Sequence, residues 1–252
     1  MALFNDGPMS GIEDLTGYDS QLLTLASSEN IDVDRKLTLA QEEIGMELAA
    51  LLNRAGHGLT PGSITETDSD SLVVTPALKL WHTFRTLEMV YRDAYDNQLN
   101  DRFAGKRDSF KERAHWARER LLELGIGVAF APVPQAPAPS ITTVDGALEA
   151  GTYYVSMCWL NERGQEGAHS APAVAYVQEG TFQVNPGETP KAATGWNVYA
   201  GRSSETMARQ NSSPLGLSSA WTQPGQINTG PAPSNGQSPD VCVPIARVLE
   251  RG

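Results

Sequence analysis

Four histidines, two cysteines and a few acidic doublets are the side chains here that could do metal, covalent or acid–base chemistry. His57, His82, His115 and His169 are scattered, none stands at ligand spacing from Cys or another His, and no HExxH occurs. Cys158 and Cys242 make no zinc spacing; Cys158 falls in a strand-like run where a small buried thiol is expected, and both are expected to be reduced. Glu42 and Glu43, like the other paired acids, read as helix-surface residues. "GRSSETM" lacks the glycines and lysine of a phosphate loop, and without a GxSxG a serine nucleophile has no elbow. Asn211–Ser213 fits a glycosylation sequon, but no basic and apolar export signal opens the chain. These residues predict a non-enzymatic protein with no metal and no cofactor.

Charge narrows the partners. The 252-residue chain has a net charge of -11, unevenly spread. Residues 1–70 hold thirteen acids against three bases, residues 71–130 eight against ten, and the remainder nine against six. Such a chain is poorly suited to gripping phosphate. The bases Arg102, Lys106, Arg107, Lys111, Arg113, Arg118 and Arg120 do cluster, but Asp101, Asp108, Glu112, Glu119 and Glu123 interleave with them. Alternating signs predict a salt-bridged face or a subunit seam. No apolar run approaches the length of a membrane span.

The elements that carry these side chains change type midway. In 31–56, Leu37, Ala40, Ile44, Leu48 and Leu51/Leu52 recur every three to four residues and continue to Ala55, which predicts a helix capped by Asp32 or Asp34 and ended at Gly56. A shorter helix in "YDSQLLTLA" offers Leu22 and Leu25. A polar loop of about 20 residues follows, of a length that often serves a partner. Thr75 and Pro76 then start a helix with the stripe Leu80, Phe84, Leu87, Tyr91 and Ala94. A last helix carries Phe110, Ala114, Ala117, Leu121 and Leu124 and stops at Gly125. Together these make a helical bundle. Trp81, Tyr95 and Trp116 fall off the main stripes, either as a second packed face or as a subunit contact, where aromatics and Arg concentrate.

"APVPQAPAP" at 131–139 separates the halves. Proline fixes φ and lacks an N–H, so the segment is expected to be a stiff, polyproline-like spacer about 28 Å long. Beyond it the period falls to two: Tyr153, Val155, Met157 and Trp159 share one face of a strand, and "APAVAYVQ", "TFQVNP", "GWNVYAG" and "SSAWTQPG" are further short strands. Short strands punctuated by turns predict a β-sandwich. The expected organisation is multidomain: an α-helical bundle over 1–130, a linker at 131–140, a sandwich over 141–230 and an arm over 231–252.

"LTLAQEEIGMEL" followed by "LKLWHTFRTLEMVYRDAYDNQLNDRFAGKRDSFKERAHWARERLLELGI" resembles the helical head-to-tail connector, or adaptor, proteins of tailed bacteriophages: a helix ending "YRDAY", a short link, and a closing helix ended by Leu-Gly-Ile. The likeness covers about residues 10–128. "AGTYYVSMCWLNERGQEG" and "GWNVYAGRSSETMARQNSSPLG" are similar to the immunoglobulin-like or fibronectin-III-like domains of virion proteins, here an added module.

The resemblance implies a structural virion protein, made in the host bacterial cytoplasm and sited at the capsid vertex. Such proteins form a ring, usually of twelve subunits, beneath the portal protein; it extends the DNA channel without sequence-specific binding and receives tail or neck proteins, with no membrane involved. On that reading Trp81, Arg85, Tyr95, Arg102, Arg107 and Trp116 are candidate subunit contacts. Asp14, Asp19, Glu42, Glu43 and Glu47 are candidate channel-lining residues that repel the duplex, and Val243, Ile245, Val248 and Leu249 belong to an arm that docks on the portal, unless the arm is a frayed end or a last sandwich strand. The spacer would hold the sandwich clear of the ring. Competing expectations are a tail-completion or decoration protein, an accessory protein of a cell-wall hydrolase, and a carbohydrate-binding module with Trp159, Trp196 and Trp221 as the sugar platform.

Overall fold

In a computed structural model describing residues 2–54, 66–98 and 101–245, an N-terminal set of helices precedes antiparallel β-sheets. The helices are α1 (Ile12–Tyr18), α2 (Leu22–Glu29), α3 (Val33–Arg54), α4 (Pro76–Gln98) and α5 (Ala104–Leu124), with a 3-10 turn at Glu66–Ser71 before α4. The strands are β1 (Ile126–Val128), β2 (Ser140–Val144), β3 (Gly151–Leu160), β4 (Ala173–Val177), β5 (Thr181–Asn185), β6 (Gly195–Gly201), β7 (Ala208–Arg209), β8 (Trp221–Thr222) and β9 (Val241–Val243). Among the described residues no helix is long and apolar enough to cross a membrane.

Local chemistry sets the helix ends. Asp32 Oδ1 accepts the Arg35 N–H at 2.9 Å, so Asp32 caps α3. Pro76 opens α4, where its missing N–H costs nothing, with Thr75 before it. Gly125 ends α5 at φ 92, its N–H on the Leu121 carbonyl at 2.8 Å. The short α1 escapes a periodicity reading; the Asp14 carboxylate caps its start by accepting the Gly11 N–H at 2.9 Å. Ala55 and Gly56 lie outside the described residues.

The helical core follows the apolar stripes with two corrections. Leu37, Ala40, Ile44, Leu48, Leu51 and Leu52 of α3 are buried, as are Phe84, Leu87, Tyr91 and Ala94 of α4. Trp81, expected off the stripe, is buried at 5% exposure because α4 packs against α1, α2, α3 and α5 and so is covered on several sides. Leu124, expected in the core, is 68% exposed on the final residue of α5.

The two compact units are each discontinuous in sequence. Of the described residues, those between 7 and 128 and 239–245 make the helical unit, and 2–6 join 129–238 in the β unit. Residues 239–245 therefore do not form a free arm: β9 pairs antiparallel with β1, setting Val243 opposite Ile126. A Cβ on Gly127 would come within 2.9 Å of Thr75 Cγ2 and 3.1 Å of Pro239 Cβ, so the close packing here requires glycine.

In the β unit one sheet runs β4-β3-β6-β7 and another β2-β5-β8, all antiparallel. Tyr153, Val155, Met157 and Trp159 of β3, Trp196 and Val198 of β6, and Phe182 and Val184 of β5 enter a single apolar cluster. The proline-rich segment is extended but is not a free spacer. Val133 and Ala136 are buried in the same cluster. Its prolines alternate with residues whose N–H groups find acceptors: Val133 on Gln237 Oε1 at 3.0 Å, Gln135 on Asp6 Oδ1 at 2.6 Å, and Ala136 on the Ala168 carbonyl at 3.1 Å. Proline is tolerated at a sheet margin where no ladder donor is needed.

Candidate functional site

The helical unit holds most of the side chains that the sequence singles out, and it brings together residues expected to serve different roles. A groove of about 240 Å³ has Trp81, Arg85 and Glu88 of α4 on its floor, Glu43, Ile44 and Glu47 of α3 on one wall, and Lys111, Ala114, His115 and Arg118 of α5 on the other. Arg85 Nη1 donates to Glu88 Oε2 at 2.7 Å, and its Nε and Nη2 donate to Glu43 Oε2 at 2.9 and 2.6 Å. Burial works against the cation, but Glu88 and Glu43 outweigh it and hold the Arg85 pKa above its ordinary value. Arg118 Nε donates to Glu47 Oε1 at 2.5 Å and ties α5 to α3. Two expected channel acids are thus ion-paired inside this groove, one of them to an expected interface base.

A second cavity of about 600 Å³ is lined by Gln21, Thr24, Leu25 and Ser28 of α2, Tyr91 of α4, and Arg102, Phe103 and Lys106 at the start of α5. Beside it Asp19 is buried at 6% exposure. Lys106 Nζ donates to both Asp19 oxygens, at 3.0 and 2.9 Å, and to the Tyr91 oxygen at 2.9 Å; Tyr91 donates its hydroxyl proton to Asp19, and so does the Gln21 N–H, at 3.1 Å. Burial raises the Asp19 pKa, but the Tyr91 and Lys106 hydrogen bonds more than reverse this and leave it lowered. Tyr91, buried and facing Asp19, is pushed up. For Lys106 desolvation opposes the charge, yet Tyr91 and Asp19 hold its pKa up. All three groups are driven away from neutral pH, so the cluster fastens α4 and α5 to the α1–α2 junction and is not poised for proton transfer.

The remaining expected channel acids are also engaged. Asp14 meets Lys79 Nζ at 2.8 Å and caps α1; Glu42 stands 3.9 Å from Arg35 with both half exposed. Desolvation raises the Asp14 pKa, but Lys79 and the Gly11 N–H bring it below the carboxylate norm. Asp14, Asp19, Glu42, Glu43 and Glu47 therefore do not form an unpaired acidic wall; each has a base within its own unit. Among the expected subunit contacts, Arg102 stacks over Phe103 at 4.2 Å and faces Glu29 at 3.6 Å, and Arg107 covers Tyr95 at 4.5 Å. Trp116 is 51% exposed on α5. Of the expected arm residues, Val243 is buried in β9 and Ile245 follows it, half-buried; Val248 and Leu249 lie outside the described residues.

His82, unremarkable in the sequence, is fully buried. Ser10 Oγ lies 2.6 Å from Nδ1 and the Leu37 carbonyl 2.9 Å from Nε2, so a neutral ring accepts from Ser10 and donates to Leu37. Burial holds its pKa down against the Leu37 and Asp14 contributions. In the β unit Glu166 Oε1 accepts from Asn197 Nδ2 and the Tyr199 hydroxyl, both at 2.6 Å; beside them burial pushes the Cys158 thiol up and keeps it protonated. Trp159 and Trp196 are buried and Trp221 packs against the same core, 6.4 Å from Phe182, so the three do not make a sugar platform. None of these constellations had a local signal: Asp19 and Tyr91 are 72 residues apart, and Asp19 and Lys106 are 87 apart. Among the described residues no group of three or more His, Cys, Asp and Glu could hold a metal ion. Compared with protein-family models and with curated proteins, the chain matches none.

Proposed function

We propose that this chain is a structural virion protein, a head-to-tail connector whose helical unit assembles into a ring beneath the portal and whose β unit is an immunoglobulin-like sandwich appended to it. The observation that carries the reading is Trp116: a tryptophan 51% exposed on a 21-residue helix, with Arg113 and Arg120, and Glu112 and Glu119, one turn away on either side. Tryptophan and arginine are the residues that dominate protein–protein contacts. The order of elements supports it too, with a long helix through "YRDAY", a short link and a closing helix ended by Gly125. For the sandwich, the support is two antiparallel sheets sharing one apolar cluster.

On this reading the helical unit acts by packing. The five singled-out acids are ion-paired, yet acids still outnumber bases by 21 to 13 over residues 1–130, which suits a wall that DNA slides past. The C-terminal residues then work from β9, anchored on β1. Imaging of purified protein alone and mixed with portal is the test: rings on a symmetric vertex are expected. Single copies away from such a vertex in particle maps, or turnover of peptidoglycan or glycan by the pure chain, would overturn the reading.

A further inference from the structure

We propose that Asn235 is a site of spontaneous deamidation through a cyclic imide, and that the change loosens the packed proline-rich segment. This goes beyond the connector reading and does not depend on it. Asn235 and Gly236 form the one Asn-Gly pair in the chain. The Asn235 side chain is exposed, and among the described residues no hydrogen bond holds its amide. Gly236 has no Cβ to obstruct an approach to that amide, and its φ of 106° is one that glycine adopts freely. Its N–H belongs to no strand ladder; it donates to Ser234 Oγ at 3.2 Å. Other asparagines are protected. The amides of Asn161, Asn197 and Asn211 are each held by a buried or half-buried acceptor. Asn185 precedes Pro186, which has no N–H, and Asn228 precedes the β-branched Thr229.

The step is a ring closure followed by hydrolysis. The Gly236 backbone nitrogen gives up its proton and attacks the side-chain carbonyl carbon of Asn235. An N–C bond forms, the side-chain nitrogen leaves as ammonia carrying that proton, and a five-membered imide remains. Water, the one co-reactant, opens the imide at either carbonyl and leaves aspartate or isoaspartate. Asn235 stands between two holders of the proline-rich segment. Its backbone bridges Ala168, whose carbonyl accepts the Ala136 N–H at 3.1 Å. Two residues on, buried Gln237 meets the Val133 N–H and the Ala131 carbonyl, each at 3.0 Å. Isoaspartate adds one carbon to the main chain between these anchors. Gln237 then shifts relative to Ala168, which withdraws a partner from Val133 and Ala131. The same anchors oppose the turn of the Asn235–Gly236 peptide that ring closure needs, so the folded chain converts more slowly than the unfolded one.

The test holds the full chain in mildly alkaline buffer, folded and in urea, and follows each asparagine by mass spectrometry of its peptide. The folded chain should lose its amide at Asn235 ahead of every other asparagine and yield both aspartate and isoaspartate. Protease cleavage between 131 and 139 should become at least ~5-fold faster in the isoaspartate fraction, the change in local opening expected when one buried partner is lost. Asn235→Gln, whose longer side chain cannot close the five-membered ring, should keep its amide, its protease resistance and its melting temperature. An Asn235 amide still intact in the folded chain after the unfolded chain has converted would overturn the site, as would equally fast conversion of Asn211. Aspartate without isoaspartate would overturn the imide route. Conversion at 235 with undiminished protease resistance would overturn the effect on the proline-rich segment.

Discussion

Val133 donates its backbone N–H to the side-chain carbonyl of Gln237, 3.0 Å away across 104 residues of sequence. The same Gln237 donates Nε2 to the Ala131 carbonyl at 3.0 Å and to Gln165 Oε1 at 2.9 Å, and is 2% exposed. One buried amide thus serves two backbone groups of a segment whose prolines cannot supply a ladder, and joins them to Gln165. Replacing Gln237 by Leu leaves the Val133 N–H and Ala131 carbonyl without this partner. An unsatisfied buried group costs ~1–3 kcal/mol, so a drop of that size in urea-unfolding stability is expected. A free spacer would show no change, and would also be cut readily by a protease between 131 and 139, where the packed segment should resist.

Asp19 and Glu42 should separate sharply on substitution, although the sequence groups them. The Asp19 side chain is 5% exposed and faces Tyr91 and Lys106; Glu42 is 57% exposed and its partner Arg35 equally so. Asp19→Asn leaves Lys106 facing a neutral group and removes a charged acceptor from Tyr91. The cost should be ~3 kcal/mol, at the low end for a broken buried pair because Lys106 is half exposed and can rehydrate. Glu42→Gln should change stability by less than ~0.5 kcal/mol. Denaturation midpoints of the two variants check this. Any DNA-passage defect of an Asp19 variant must be read against its lost stability.

Burial of His82 sets a pH dependence with a definite sign. Its folded pKa is lowered below the ordinary 6.5, so the unfolded chain takes up the proton first as pH falls. Above 6.5 the ring is neutral in both states and contributes nothing to the slope. Below it, stability falls until the lowered folded value is reached. Asp14 and Asp19 also have lowered pKa values; their stabilisation is present above the ordinary 3.8 and is lost only in stronger acid, as pH falls through the folded values. Between pH 7 and 5 the His82 contribution is therefore distinguishable. Urea midpoints should decline over that range in the native chain, and the decline should flatten in His82→Gln. An equal slope in both would remove His82 as the cause.

The two cysteines should react on different terms. Cys242 is exposed on β9, whereas Cys158 is fully buried beside Tyr199 and Met207 with its thiol held protonated. A thiol reagent at neutral pH should titrate one cysteine in the folded protein and two after denaturation. Two fast-reacting thiols in the native state would contradict the burial of Cys158.

What the sequence reveals of this fold follows from what is local in it. α3 is legible because one face is buried, and its apolar residues recur at the helical period from Leu37 to Leu52. The Asp32 and Thr75 ends are legible because capping chemistry lies within three residues. β3 is legible because Tyr153, Val155, Met157 and Trp159 alternate. The sequence leaves Trp81 between a second packed face and a subunit contact because α4 is covered on several sides and no single stripe describes such a helix; its burial makes it a packed face. The extended shape of 131–139 follows from its prolines, but its packing depends on Asp6, Ala168 and Gln237, which are distant in sequence. The pairing of the acids is hidden for the same reason: a run of like charge suggests a free field, while the bases that meet Asp14, Asp19, Glu43 and Glu47 come from α4 and α5.

Trp81 and Trp116 make the sharpest pair of contrasts. Both fall off the apolar stripes, and sequence alone leaves each as either a second packed face or a subunit contact. Trp81 is 5% exposed on the floor of the α3–α5 groove, beside the Arg85–Glu43 pair. Removing its ring opens a cavity under that ion pair, and Trp81→Ala should cost ~3–5 kcal/mol of stability. Trp116 is half exposed, and its neighbours Arg113 and Arg120 reach solvent. Trp116→Ala should therefore leave the unfolding midpoint nearly unchanged and show its effect only in self-association. Thermal melts and light scattering on the two variants together test this division. If Trp116→Ala melted as early as Trp81→Ala, Trp116 would be a packing residue of the monomer, and the exposed face of α5 would lose its anchor.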